Sequence, residues 1–167
     1  FAPQPPYFVI LGTIEPRKNH ALLLDVWQHM PDPPQLYIVG SRGWSNESVT
    51  ARLDALPPGM PIHELRGLPD GAVSALLLGA QALLFPSFAE GFGLPALEAM
   101  AAGVPLLTSN TSSLPEVVGE TALLVEPESV ESIAAGIEEL VAQPDAAKAR
   151  AVKARVRAES FTWAHSA

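Results

Sequence analysis

Between residues 83 and 108 the chain reads LLFPSFAEGFGLPALEAMAAGVPLLT, an order of residue types that leaves little choice of local structure. The apolar run over 82–86 has the form of a buried strand. A glycine-rich turn holding Glu90 follows, and a helix opens at Leu94 and Pro95. Proline suits a first helical position, because its missing N–H would have no intrahelical partner there. Glu98 falls in the first turns of that helix, and Gly103 ends it ahead of a second apolar strand over 104–108. A strand, a tight turn and a helix N-terminus in succession aim free N–H groups at the turn, a geometry that binds anions. Two carboxylates eight residues apart flank it, suited to accepting hydrogen bonds from hydroxyls. A ligand with both phosphate and hydroxyls, such as a nucleotide sugar, would use both halves.

Strands and helices alternate along the rest of the chain. Tyr7–Leu11 is a short apolar run closed by Gly12, as in a strand buried on both faces. The loop 13–19, TIEPRKN, precedes a helical face of Leu22, Leu23, Val26, Trp27 and Met30, which Pro31, Pro33 and Pro34 stop. Further strands are expected at 36–39, Ile62–Leu65 and 122–125, with helices at 49–56 and 72–78, the latter capped by Asp70. The turn-rich stretch 109–113 leads into a single helical turn at Leu114–Val118. Val130, Ile133, Ala134, Ile137, Leu140 and Val141 form an amphipathic stripe that Pro144 stops, and Asp145 is expected to cap a final helix. That helix carries Lys148, Arg150, Lys153, Arg155 and Arg157, most simply a solvated face or a dock for a neighbouring domain. The alternation predicts an α/β domain, a doubly wound parallel sheet of about six strands with helices on both faces. In such sheets ligands bind at the carboxyl ends of the strands, where strand order reverses. The loops after the first strand and after Pro86 both lie at such ends and can face one crevice.

The totals narrow the function classes. A chain of 167 residues is long enough for one domain with a proper core. With 48% hydrophobic and 17% charged residues it should fold rather than stay disordered. A net charge of −8 argues against a nucleic-acid partner, which would need clustered Lys and Arg. Cysteine is absent, so neither disulfides nor thiolate metal sites are expected, which fits a cytoplasmic protein. Residues 71–89 carry no charge over about the length of a bilayer span, but Gly79, Gln81 and Pro86 break them into a short helix and a strand. No membrane span is therefore expected. The opening FAPQPP lacks the form of a signal peptide and reads as a linker or a boundary.

Three groups of residues carry candidate chemistry. Arg17 and Lys18 are adjacent cations on a carboxyl-end loop, able to hold a diphosphate through an arginine fork and a lysine point charge. The plainer alternative is a solvated loop in which Glu15 pairs with one of them. Glu90 is either an exposed turn carboxylate or a ligand contact, and Gly91 and Gly93 beside it favour contact by letting a ligand approach the backbone. Glu98 sits among apolar Ala96, Leu97, Ala99 and Met100, where a carboxylate calls for a purpose or a partner. Other constellations are missing: there is no G-x-G-x-x-G after the first strand, no P-loop lysine and no G-x-S-x-G elbow. The four histidines, His20, His29, His63 and His165, stand at no metal-ligand spacing, and no Asp-x-Asp pair occurs. No metal site is expected.

In order along the chain, these elements resemble the donor-binding half of the family 4 (group 1) retaining glycosyltransferases, which have the two-domain GT-B fold. The match rests on Glu90-Gly-Phe-Gly-Leu-Pro-Ala-Leu-Glu98, the family's E-x7-E element, and on Gly12-Thr-Ile-Glu-Pro-Arg-Lys-Asn19. It rests also on the strand ending Ile38-Val39-Gly40, on Leu114-Pro-Glu-Val-Val-Gly119, and on the ending Phe161-Thr162-Trp163, where the family's chain crosses back to its other domain. The resemblance implies roles. Arg17 and Lys18 would grip the donor diphosphate beside Gly12 and Thr13. Glu90 would hold hydroxyls of the transferred sugar, with N–H groups of Phe92, Gly93 and Leu94 at phosphate or sugar. Glu98 would hold the ribose, and the stretch 66–69, with Leu68, would line the base. Positioned cations and a helix N-terminus would suffice for charge developing on phosphate, so the resemblance implies no metal or other cofactor.

One position departs from the pattern. Many members place an arginine after the first loop's glycine, where this chain has Thr13, and Arg17 would have to take over its charge. The G-T-x-E-P-R-K-N form resembles a subgroup rich in mannosyltransferases, which makes GDP-mannose the first expected donor. The family's amino-terminal acceptor domain has no counterpart in these residues. The expectation is thus a half-enzyme that binds nucleotide without transferring sugar alone, self-associates weakly through its exposed cleft face, and is cytoplasmic or peripheral at the inner membrane in the full enzyme. Two alternatives share the fold: a non-catalytic binding or assembly module, and a sugar-nucleotide epimerase.

Overall fold

Every residue of Tyr7–Leu11 (β1) is buried, because the strand has helices on both sides. Its side chains alternate: Phe8 and Ile10 enter one core layer, and Tyr7, Val9 and Leu11 the other. The same division holds for Gln35–Val39 (β2) and Ala82–Phe85 (β4). With Ile62–Leu65 (β3), Leu106–Ser109 (β5) and Leu123–Val125 (β6) they form a six-stranded, all-parallel sheet in the order β3-β2-β1-β4-β5-β6. This computed structural model describes Pro3 and residues 5–161. Thr162, Trp163 and His165 lie outside the described residues, as do Phe1, Ala2 and Gln4.

Helices His20–His29 (α1), Glu47–Asp54 (α2) and Val130–Ala142 (α6) cover one face, through Leu23, Trp27, Leu53, Ile133 and Ile137. Asp70–Leu78 (α3), Leu94–Ala101 (α4), Leu114–Val118 (α5) and Pro144–Ala158 (α7) cover the other, through Leu76, Met100, Leu114 and Ala154. The doubly wound α/β sheet expected from the alternation is the one observed. The chain winds outward from β1 to β3 and then returns to β4 beside β1. Strand order reverses there, so the loops after β1 and β4 open onto a common crevice.

Several expected details differ. Pro86 lies outside β4 and Val104 outside β5, because the ladder runs only from Leu83↔Leu106 to Phe85↔Thr108. Helix α2 begins two residues earlier than expected, after Asn46. Asp70 and Asp145 do not cap: Pro69 and Gln143 take those positions, and the carboxylates sit in the first turns, where they favour the helix dipole. The one side-chain cap among these helices is Ser129, which accepts the Ser132 N–H at 3.0 Å. Helix α7 is not simply a solvated basic face. Arg157 donates to the Val117 and Glu116 carbonyls at 2.8 and 2.7 Å, satisfying the end of α5, and Arg150 approaches Glu139 at 3.5 Å.

Candidate functional site

The loop after β1 turns on Gly12, whose φ of +126° only glycine adopts without strain. A Cβ there would lie 3.4 Å from Lys18 Cε, so the lysine stem lies close to the bare backbone. A 3-10 turn over Pro16–Lys18 follows, and Asn19 takes a left-handed conformation before α1. The turn buries Lys18, with Nζ 4.7 Å from the centre of the Phe85 ring. Across the crevice, the loop after β4 carries Glu90, and the two loops meet. Lys18 Nζ donates to Glu90 Oε1 at 2.7 Å, and Arg17 Nη1 lies 3.2 Å from Glu90 Oε2. Arg17 Nε also pairs with Glu15 at 2.6 Å, as the plainer reading of that loop has it, but the loop is not simply solvated, since Lys18 is buried. The plainer reading of Glu90 does not, since its side chain is only 7% exposed.

Residues that the sequence did not single out fix this meeting. Asn19 Nδ2 donates to the Pro86 and Pro127 carbonyls at 2.9 and 2.7 Å, tying the loop after β1 to those after β4 and β6. The Phe88 N–H donates to the Arg17 carbonyl at 2.9 Å. Ser112 Oγ donates to the Glu90 carbonyl at 2.8 Å and accepts its N–H at 3.1 Å, and Ser113 donates to the same carbonyl at 3.0 Å. Asn19 stood inside a quoted motif. Ser112 and Ser113 showed only as turn formers, with nothing to reveal a partner 22 or 23 residues away.

The remaining candidates divide. Gly93 has φ +82° at the start of α4, and a Cβ there would meet Leu114 Cδ2 at 2.8 Å. The N–H groups of Phe92, Gly93 and Leu94 donate to no other described residue. Gly12 and Leu68 line a cavity of about 200 Å³ with Val39, Gly40 and Gly67, at the carboxyl ends of β1 to β3. Thr13 turns towards Gly43, where a Cβ would lie 2.5 Å from its methyl, and supplies no charge. Glu98 is exposed on α4 and has no protein partner among the described residues. Phe88, Phe92 and Leu94 are exposed on the rim, with Phe92 edge-on to Phe161 at 5.9 Å.

His20 was not a candidate, and its setting is unusual. It is fully buried at the start of α1, with neither ring nitrogen partnered among the described residues. Burial, reinforced by the Lys18 charge and opposed by Glu15, pushes its pKa down to about 4. The imidazole is therefore neutral at pH 7.

The family model for glycosyl transferases group 1 matches residues 1–157. The chain belongs to this family. O-antigen chain mannosyltransferase B of Escherichia coli is 35% identical over 161 residues, which is 94% of this chain and 42% of that protein. Glycogen synthase of Mycobacterium tuberculosis is 47% identical over 92 residues, 53% of this chain and 22% of that protein. Among solved structures, sucrose-phosphate synthase of Thermosynechococcus elongatus superposes with a TM-score of 0.84 at 27% identity, over 96% of this chain and 42% of that one. The chain thus spans about two fifths or less of the length of these relatives. No helix among the described residues is long and apolar enough to cross a membrane.

Proposed function

We propose that this domain binds the nucleotide-sugar donor of a retaining glycosyltransferase, with GDP-mannose as the first candidate. One observation carries the reading: Arg17, Lys18 and Glu90 converge at the point where strand order reverses. Lys18 has three donors and makes one hydrogen bond within the described protein. Its spare donors, with Arg17, suit the two phosphates of a donor. The cavity at Gly67 and Leu68 suits the base, Glu98 is free for ribose hydroxyls, and Glu90 suits the hydroxyls of the sugar. As the sugar leaves, negative charge grows on the diphosphate, and fixed cations beside the start of α4 stabilise it without rearranging.

Mannose as the sugar is supported by the G-T-x-E-P-R-K-N loop and by the mannosyltransferases among the relatives. The acceptor is expected to be held by a second domain, because transfer needs a hydroxyl aligned with the anomeric carbon. The melting temperature with GDP, UDP and ADP tests the donor reading, since a ligand selective for the folded state must raise it. A rise with GDP exceeding that with UDP or ADP, unchanged by EDTA, is expected. No rise with any of them would support a non-catalytic module. Turnover of GDP-mannose with no acceptor would support an epimerase.

A further inference from the structure

Glu90 and the two cations are expected to hold different parts of a donor, yet without ligand they hold each other. We propose that Glu90 makes the crevice select a nucleotide that still carries its sugar over the spent nucleoside diphosphate. The inference rests on the donor reading above and deepens it.

Both carboxylate oxygens of Glu90 are engaged, Oε1 with Lys18 at 2.7 Å and Oε2 with Arg17 at 3.2 Å. The Lys18 and Glu90 side chains are 8% and 7% exposed, so water does little to screen the pair. Phe85 and Gly12 hem in the lysine. Ser112 and Ser113 pin the Glu90 backbone through its N–H and carbonyl, leaving only side-chain rotation to separate the charges. Lys18 has donors to spare, but a diphosphate drawn to both cations is a second anion brought against the poorly screened Glu90 carboxylate, and the repulsion between them favours turning Glu90 away. Once displaced, the Glu90 carboxylate is a buried acceptor that has lost its donors, which is costly unless new donors arrive. Sugar hydroxyls are such donors, and a bare diphosphate brings only acceptors to the crevice. The sugar nucleotide therefore completes the exchange, and the product does not. After transfer Glu90 returns to the cations and opposes retention of the spent nucleotide.

Calorimetry on the protein and its Glu90→Gln variant, with GDP, GDP-mannose and pyrophosphate, tests this; UDP with UDP-glucose and ADP with ADP-glucose are run in parallel. Glutamine keeps the shape and removes the competing charge. In Glu90→Gln the affinity for pyrophosphate and for the bound nucleoside diphosphate should rise about tenfold, while that for the sugar nucleotide does not rise. Glu90→Asp, with its charge retained but its reach shortened, should fall between, and it serves if the glutamine variant fails to fold. Nucleoside diphosphate binding that is unchanged or weaker in both variants would overturn the selection while leaving the donor reading intact. If the unmodified protein binds none of the ligands, the donor reading itself fails and the selection falls with it.

Discussion

Two charge clusters sit at carboxyl ends of the sheet and use the same residue types to different ends. At the edge, Arg42 forks onto Glu64 through Nε and Nη2, both at 2.8 Å, and onto Asp54 through Nη1 and Nη2 at 3.2 and 2.6 Å. Those bonds occupy nearly every donor that a guanidinium has, and they tie the loop after β2 to both β3 and α2. In the crevice, Lys18 and Arg17 share Glu90, Arg17 alone also pairs with Glu15, and Lys18 keeps donors unused. A saturated cation latches the fold. An unsaturated one, buried at a strand-order reversal, is available to a ligand.

Exchanging the two roles by mutation would break that comparison most severely. Lys18→Met should weaken binding of the nucleotide about a hundredfold, because charged hydrogen bonds are worth about 1.5–3 kcal/mol. Arg42→Met should lower the melting temperature and leave nucleotide affinity within about threefold. Titration calorimetry beside thermal melts reads both, and nucleotide binding lost in Arg42→Met would undo the distinction.

Acid separates the clusters further. His20 beside Lys18 has its folded pKa lowered to about 4, so the unfolded chain binds this proton first as pH falls below 6.5. Stability should then drop by about 2 kcal/mol between pH 7 and 5 on this account, and level out below about 4. Arg42 holds the Glu64 and Asp54 carboxyls below their ordinary values, so the latch stabilises above the carboxylate range and is lost only as pH falls through those lowered pKa values. Urea titrations across pH should show the upper window missing in His20→Leu and the lower one missing in Arg42→Met. One window removed by both variants would mean that the clusters act as a unit.

The sequence conveyed the crevice but not the lattice that shapes it. Apolar runs ending at Gly12 and Gly40 marked strands, and Gly103 marked the end of α4, because burial period and positive-φ backbone are local properties. Arg17, Lys18 and Glu90 were legible as a group because carboxyl-end loops of a doubly wound sheet must converge. Their mutual pairing was not legible, since it spans 72 residues and depends on a rotamer. The bonds from Asn19, Ser112 and Arg157 to distant carbonyls escaped for the same reason. So did the burial of Glu90, for which the turn had left an exposed carboxylate and a ligand contact both open.

Smaller effects sharpen the account of the crevice rim. Glu98→Ala should lower nucleotide affinity by more than tenfold if its unpartnered carboxylate takes ribose hydroxyls, with no change in melting temperature without ligand. The exposed Phe88, Phe92 and Leu94 should give weak, concentration-dependent self-association. Leu94→Ser should reduce it in sedimentation velocity runs, and an unaltered profile would place the contact elsewhere.

The central claim is that the Lys18, Arg17 and Glu90 crevice receives the diphosphate of a nucleotide sugar. Its most direct measurement is calorimetric titration of GDP-mannose into the unmodified protein and into Lys18→Met, with both shown to be folded. The account predicts one site in the unmodified protein and affinity about a hundredfold weaker in the variant. Equal affinity in the two proteins, or no binding of any sugar nucleotide at millimolar concentration, would contradict it.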